Sequence, residues 1–599
     1  MLEVLETVHS LCIGGKPTEA VEMLRDLDAA GATDADALFL LGTLLRQDGA
    51  AGEAINVLER VVAMRPDMTN ALAELGLSLM AIDQLPRALE ALREVNRRVQ
   101  GHSSCGSLAQ LLVSYAGSLL TQERIDEAGQ ILEEAVAVNG TVPGALALLA
   151  VVRGKAGDFQ SALALSEQAA ALYPNDPAIL SNKSYMLENL NRSQEAEAVA
   201  RYVVETLAPD MAGAWSNLGN ALRTLGRLVE AEASFARAMT LDPDLAAPYA
   251  NMGTQYSLAG DFDRSDQHFR RAVELAPTDA IMPFIWACDR LRAGDWEKGW
   301  ALYEGRHLFP GRRIFWRGLE CLPAWPGGDP VGQRILVECE QGHGDSLHFF
   351  RYARRLADCG AQVGLLAQPS LVRLFQLSDP RLAVVEAGWQ GDPAHWDCGV
   401  PLLSLPHRFG VRPDDILVDA PYLAADPADR AAWTSRLAQL KGGKVGLVWA
   451  GDPRPHDPAS SGIDRRRSLS LSALAPLGDV PGVEFVNLQM GDPASQLTDA
   501  PFPIHDWMDG IRDFADTAAL VCQLDLVITV DTSVAHLAGG LGVPVMLLSR
   551  FDGCWRWLHG RNDTPWYANM RLFRQRSWGD WGPPIAELRA ALADRAKAD

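Results

Sequence analysis

The chain has few of the features that would place it outside the ordinary globular proteins. No apolar run among its 599 residues is long enough to span a bilayer, which argues against insertion in a membrane. Its N-terminus, "MLEVLETVHSLCIGGKPTEA", has acids where a secretory signal has bases, and its apolar residues are spaced rather than continuous. Its nine cysteines are scattered and odd in number, with no Cys-x-x-Cys pair, so neither a disulfide framework nor a zinc site is expected. Positive charge is scarce too. A net charge of −22 opposes general binding to nucleic acid or anionic lipid, although a local basic site is compatible with it. These absences predict a cytoplasmic protein, and the length predicts two or more domains.

What the chain does have is a period. "GAWSNLGNALRTLGRLVEAEASFARAMTLDPDL" is followed by "APYANMGTQYSLAGDFDRSDQHFRRAVELAPTD", and Gly219/Gly253, Phe235/Phe269, Ala238/Ala272 and Pro243/Pro277 each stand 34 residues apart. Ala20, Ala54 and Ala88 keep the same interval, as do Ala128, Ala162 and Ala196 after a short insertion; Ala231 follows. Small residues let two helices approach, a Leu or Phe four residues on fills the next interface, and proline ends the second helix. With Trp215, Leu218, Gly219, Ala231, Phe235, Ala238 and Pro243 in phase, residues 1–280 resemble an array of about eight tetratricopeptide repeats. Stacked repeats of this kind form a groove, so a protein partner is expected there. Residues 281–325 read as one more helical hairpin and a packed junction, rich in Trp286, Trp296, Trp300, Tyr303, Trp316 and Trp325.

From residue 326 strand and helix alternate. "RILVEC", "AQVGLLAQ", "KVGLVWAG", "VEFVNLQMG", "LDLVITV" and "VPVMLLS" read as buried strands with helices between them. The expected fold class is therefore α + α/β: a repeat solenoid, then two Rossmann-like halves at 326–430 and 431–599. The final "PPIAELRAALADR" is expected to cross back to the first half. Ligands in such sheets bind beyond the C-terminal strand ends, where four loops carry chemistry. After the first strand, "EQGHGDSLHFF" places Gly344 and Asp345 at a helix mouth, where Asp345 is either a cap or a functional carboxylate. "DPRPHDPASSGIDRRRSLSLSAL" carries Arg465, Arg466 and Arg467 before a helix start expected at Ser468; they are either a solvated face or an anion clamp. "VDTSVAH" ends a strand in Asp531, Thr532 and Ser533, which cap a helix or hold an anion at its N-terminus, with His536 a turn further on. "SRFDGCWRWLHGRNDTPWYANMRLFRQ" sets Arg550, Arg556 and Arg561 among Trp555, Trp557, Trp566 and Tyr567, a packing seam or a nucleotide site.

In this order, "QGHGDSLHFFRYARRL", "VGLVWAG", "DRRRSL", "DLVITVDTSVAHLAGGLGVPV" and "DTPWYANMRLFRQ" resemble the transferase domain of bacterial tetratricopeptide-repeat glycosyltransferases. That domain resembles the heptosyltransferases of the GT-B fold. The resemblance implies an enzyme that moves sugar from a nucleotide-activated donor, with Asp345 as catalytic base. It implies donor contacts at Gly344, Trp449, Gly451, Arg465, Arg466, Asp531, Thr532, Ser533, His536, Arg550 and Arg556, and neither a metal nor a further cofactor. One departure is a missing lysine at the "VWAG" loop, which the arginine triplet would replace. The plan most resembles flagellin O-glycosyltransferases, whose repeats hold flagellin while a nonulosonic acid such as pseudaminic acid is added to Ser or Thr. A transferase acting on glycan or lipopolysaccharide, with repeats used for assembly, and a non-catalytic scaffold are the alternatives.

Overall fold

The computed structural model describes residues 2–32, 34–122, 124–142, 144–308, 319–388, 391–416, 421–454 and 458–598; Trp316 of the aromatic junction lies outside them. The chain forms two compact units, Met1–Pro209 and Asp210–Asp599.

The first unit is helical throughout, built from pairs such as Ala35–Gln47 with Ala51–Met64 and Ala145–Lys155 with Phe159–Leu172. The 34-residue alanines explain the pairing: Ala20, Ala54, Ala88, Ala128, Ala162 and Ala196 are all fully buried at the helix crossings. Gly42 and Gly76 serve the same approach from the other side, because a Cβ on either would run into Leu58 or Leu92. Exposed ion pairs staple one repeat to the next, including Arg60 Nη1 to Asp28 at 2.7 Å and Arg93 to Glu134 at 2.6 Å.

The second unit begins inside the repeat series. Two repeats, Ala212–Thr224 with Leu228–Leu241 and Ala246–Ala259 with Phe262–Leu275, are followed by the expected extra hairpin, Ile281–Ala293 with Trp296–Tyr303. Ser265 takes the alanine position here and hydrogen-bonds Gly253 O at 2.8 Å and Asp289 Oδ1 at 2.9 Å. The extra hairpin is part of the α/β core. Trp296 stacks on Trp566 with ring centres 4.8 Å apart, Trp300 meets Trp555 edge-on, and Trp300 Nε1 donates to Val411 O at 3.2 Å. Beyond it, buried Arg306 donates to Glu340 Oε1 at 2.8 Å and to Ser404 Oγ at 2.7 Å.

The α/β region holds two parallel sheets. The first contains β1 (Arg334–Glu338), β2 (Gln362–Ala367), β3 (Ala383–Glu386) and β4 (Cys398–Pro401), in the order β3-β2-β1-β4. The second contains β5 (Gly443–Val448), β6 (Val483–Asn487), β7 (Ile504–His505), β8 (Leu526–Val530), β9 (Val545–Ser549) and β10 (Met570–Arg574), in the order β10-β9-β8-β5-β6-β7. The chain reverses direction across each sheet at β1/β4 and at β5/β8, which puts the loops after β1, β5 and β8 at the switch points where such folds open a crevice. One core runs from Ala287 through Val337, Phe349 and Leu537 to Leu572, so the hairpin and the inner faces of both halves share it. A second core covers the outer face of the second sheet.

Two expectations need correction. Helix Gly582–Ala598 does not cross to the first half: Ile585, Leu588 and Leu592 form an apolar stripe that fills the second core with Leu474 and Phe573. The arginine triplet is itself the last turn of helix Pro458–Arg467, where cations complement the negative end of the helix dipole, and the helix that follows is a 3-10 turn that starts at Leu471 rather than Ser468.

Candidate functional site

Loops at the C-terminal ends of β1, β5, β8 and β9 converge within the second unit. Helix His343–Asp358 starts at the end of β1, and helix Ser533–Gly540 starts after β8. Their first turns nearly touch at Gly344, where a Cβ would lie 3.2 Å from His536 Cδ2 and 3.7 Å from Ser533 N. Glycine suits the position, because any Cβ there would press on the His536 ring. The first-turn amides of Ser533 and Val534 have no partner within their helix, and the Thr532 side chain does not cap them. Thr532 Oγ1 pairs instead with Thr529 Oγ1 at 3.0 Å.

Asp345 is a cap and something more. Its Oδ2 accepts from Gly342 N at 3.1 Å, and its Oδ1 is paired with Arg556. Arg556 is buried against Trp555, with its guanidinium 4.3 Å from the ring centre. Burial would lower its pKa, but Asp345 and Cys554 raise it further above the ordinary range, so it is a permanent cation.

The loop after β5 is tied down by a second ion pair. Arg467 Nε donates to Asp464 Oδ1 at 2.9 Å and Arg467 Nη1 to Asp531 O at 2.8 Å, which links this loop to the one after β8. The Asp464–Arg467 pair passes directly over Gly451, where a Cβ would collide with both side chains. Gly451 N donates to Ser468 Oγ at 3.0 Å. Arg466 Nε and Arg550 Nη1 share Asp552 Oδ2, at 3.0 and 3.1 Å. Burial would raise the Asp552 pKa, but Arg550, Arg466 and Arg292 hold it below the usual carboxylate range. Arg292, from the extra hairpin, donates to Gly553 O at 2.8 Å. Arg574 is half-buried near Arg292, Arg561 and Asp531, and its pKa is pushed down to about 10 by desolvation and by its two cationic neighbours.

The structure thus brings Gly344, Asp345, Gly451, Arg466, Asp531, Thr532, Ser533, His536, Arg550 and Arg556 to the strand ends. Two candidates fare differently. Arg465 is exposed. Trp449 is fully buried in the second core, its amide donating to Gln489 Oε1 at 3.2 Å and its carbonyl accepting from Leu469 N at 2.8 Å, so it is a wall of the site and offers no group to a ligand. Sequence reasoning undervalued Arg467, although Asp464 three residues earlier in a helix was the signal that singles it out from the triplet. It missed Arg292, His348 and Tyr422 altogether, which reach the site only through tertiary packing.

His536 is buried, and among the described residues its hydrogen bond is to Tyr567 rather than to Thr532 or Ser533. Its ring stacks on Trp557 at 5.3 Å, and its Nδ1 lies 3.0 Å from Tyr567 Oη. Burial first, then Arg556 and Arg351, push its pKa well below the ordinary histidine value.

Fold and repeats together define the class: a tetratricopeptide-repeat solenoid leading into an α/β region of two parallel sheets. Tetratricopeptide-repeat models match residues 14–69 and 147–212, 45–112, and 210–278. Along most of its length the chain is similar to Protein FlbA of Caulobacter vibrioides, 27% identical over 597 residues that cover 92% of this chain and 94% of that protein. Among solved structures, MamA residues 41 to the end from Desulfovibrio magneticus RS-1 is 23% identical over 30% of this chain and 99% of its own, with a TM-score of 0.25. The tetratricopeptide-repeat protein TTC0263 of Thermus thermophilus is 23% identical over 31% and 99%, with a TM-score of 0.28. Among the described residues, no helix is long and apolar enough to cross a membrane.

Proposed function

We propose that this protein is a protein O-glycosyltransferase of GT-B type, which takes sugar from a nucleotide-activated donor and places it on Ser or Thr of a protein held by the repeats. One observation carries the reading. In a chain of net charge −22, the described residues at the strand ends gather Arg292, Arg466, Arg467, Arg550, Arg556 and Arg574 beside Asp345, Asp464, Asp531 and Asp552. That surplus of two positive charges is tied by Arg467 to the Asp531 carbonyl, two residues before the uncapped amides of Ser533 and Val534, an arrangement suited to a phosphate leaving group.

The chemistry follows from the residues. The acceptor hydroxyl loses its proton to Asp345 as its oxygen bonds the anomeric carbon. The anomeric carbon–phosphate oxygen bond breaks, and the electron pair leaves on the phosphate, where the arginines and helix amides stabilise it. The resemblance described above makes flagellin the proposed acceptor and a nonulosonic acid the proposed sugar.

The test is intact mass of flagellin after incubation with the full chain and a nucleotide-sugar extract of the native cell. A sugar-sized increment is expected, lost with Asp345→Asn, while calorimetry with CMP, UDP, GDP and ADP finds one nucleotide that binds. Arg467→Ala should weaken that nucleotide by about 1.5–3 kcal/mol if the guanidinium meets phosphate. Flagellin left unmodified, with none of the four nucleotides bound, would sink the proposal.

A further inference from the structure

The Tyr567 hydroxyl sits at the centre of a buried polar cluster beneath the two helix mouths. His348 Nδ1 is 2.9 Å from it, His536 Nδ1 3.0 Å and the Tyr422 hydroxyl 3.2 Å. Tyr422 Oη is itself 3.0 Å from Leu347 O. A carbonyl can only accept, so the Tyr422 proton goes to Leu347. Tyr422 oxygen must then accept from Tyr567, which spends the one proton Tyr567 has. Two lone pairs remain on Tyr567, and both histidines must donate to them. This is the one arrangement that makes all four hydrogen bonds, and it fixes both rings as neutral Nδ1–H tautomers. Burial first, then Arg351 and Arg556 beside them, disfavour the charged form of either ring.

In that tautomer each Nε2 is a bare lone pair. The two rings differ in where it points. His348 Nε2 is sealed in the interior without a partner. His536 Nε2 also makes no hydrogen bond with the described residues, yet it is not sealed from solvent as His348 Nε2 is, although the residue is only 5% exposed. On the edge that carries it, Cδ2 lies 3.2 Å from where a Cβ on Gly344 would stand, beside the first turn of helix His343–Asp358.

We infer that His536 Nε2 is a hydrogen-bond acceptor built to read a hydroxyl at the reacting end of the site, and that it does not bind phosphate. A phosphate diester has no proton to give, and its oxygens would repel a lone pair. This inference rests on the transferase reading for the identity of the ligand, but not for the tautomer. The hydroxyl belongs either to the donor sugar or to the acceptor side chain, and experiment separates them.

The first measurement needs no substrate. Long-range proton–nitrogen correlation on the full chain, deuterated and carrying 15N-histidine, should show His536 as Nδ1–H with a bare Nε2 at pH 7, with Tyr567→Phe used for assignment. An Nε2–H tautomer or a charged ring would overturn the inference. The second uses a variant pair. His536→Asn keeps a donor for Tyr567 and removes the Nε2 acceptor; His536→Gln puts an acceptor back near Nε2. The expected result is a kcat/KM lower by about tenfold or more in His536→Asn. Partial recovery is expected in His536→Gln, with the affinity of the bound nucleotide unchanged in both. A loss confined to KM for the acceptor protein assigns the hydroxyl to the acceptor, whereas an equal loss in hydrolysis of donor alone assigns it to the sugar. Unchanged turnover, or a nucleotide affinity that falls tenfold with His536→Asn, would refute it. If the unaltered protein binds no nucleotide, the transferase reading fails and the tautomer result still stands.

Discussion

The hairpin near residue 50 and the hairpin near residue 290 have the same local plan, yet they are held by different forces. The early hairpin buries Ala54 and Leu58 in an apolar core that runs only through helices of the array, from Val8 to Val152, and exposed charges such as Arg60–Asp28 trim its joint with the preceding pair. The late hairpin buries Trp296, Trp300 and Tyr303, each about 1% exposed, among Trp555, Trp566 and Phe349 of the α/β region. A helix pair has two faces, and the repeat pattern specifies only the one that meets the next helix. What covers the other face decides whether the pair is one more link in an array or a wall of another core. In an array, stability is a sum over neighbours. In a shared core, losing one element leaves apolar surface on several others.

That contrast breaks most visibly by truncation. A fragment of residues 325–599 leaves out the late hairpin and Arg306, so it should aggregate on size-exclusion chromatography, while 210–599 should elute as a folded species. A well-folded 325–599 with a cooperative melt would show that the hairpin is an appendage. Trp300→Ala should be the next largest effect, about 3–5 kcal/mol off the unfolding free energy of 210–599 in urea. A loss no larger than that of a surface residue would remove the shared core from the argument.

Arg306 leads to a finer test. Glu340 has Arg306 for a partner, whereas Glu338, two residues away on the end of β1, is 3% exposed and its Oε1 has none. Burial, with Glu340 nearby, pushes Glu338 up to about 8. The unfolded chain releases this proton at roughly pH 4.3, so between there and about pH 8 the folded state holds a proton that the unfolded state lacks. Its contribution is full below that window and lost as the pH rises through 8, on the order of a few kcal/mol. Urea melts of 210–599 at pH 5, 6, 7 and 8 should show the decline, and Glu338→Gln should flatten it. The smallest effect belongs to the array: Arg60→Ala should cost less than about 1 kcal/mol, because the pair it breaks is largely solvated. A cost of several kcal/mol in a melt of residues 1–209 would overturn the view that exposed charges merely trim the array.

The repeats and six of the ten described strands were legible because both signals are local, whereas β3, β4, β7 and β10 and the order within each sheet were not. Alanines at 34-residue intervals and short β-branched runs each report on their own turn or strand. The functional loops were legible for the same reason: a strand that ends in Asp531-Thr532-Ser533 announces a helix mouth. What the chain did not reveal was which of these residues face one another. Trp449 reads as a strand-end residue, but its phase with β5 turns it into the core. Helix Gly582–Ala598 has a stripe that fits either half, and only the space left by Leu471, Leu474 and Leu477 decides between them. Tyr567 reads as one aromatic among several; its hydroxyl matters because His348, more than two hundred residues earlier, arrives beside it.

Gly451 has a consequence for how the protein can diverge. With no side chain there, the Asp464–Arg467 pair lies flat across the backbone, and Arg467 reaches the carbonyl of Asp531. Any larger residue at 451 would lift the pair and release the loop after β8. The three positions therefore form one heritable unit: in relatives of this chain, Gly451, Asp464 and Arg467 should be kept or lost together. A lineage that replaces the glycine should also have found another way to hold the strand-end carbonyl.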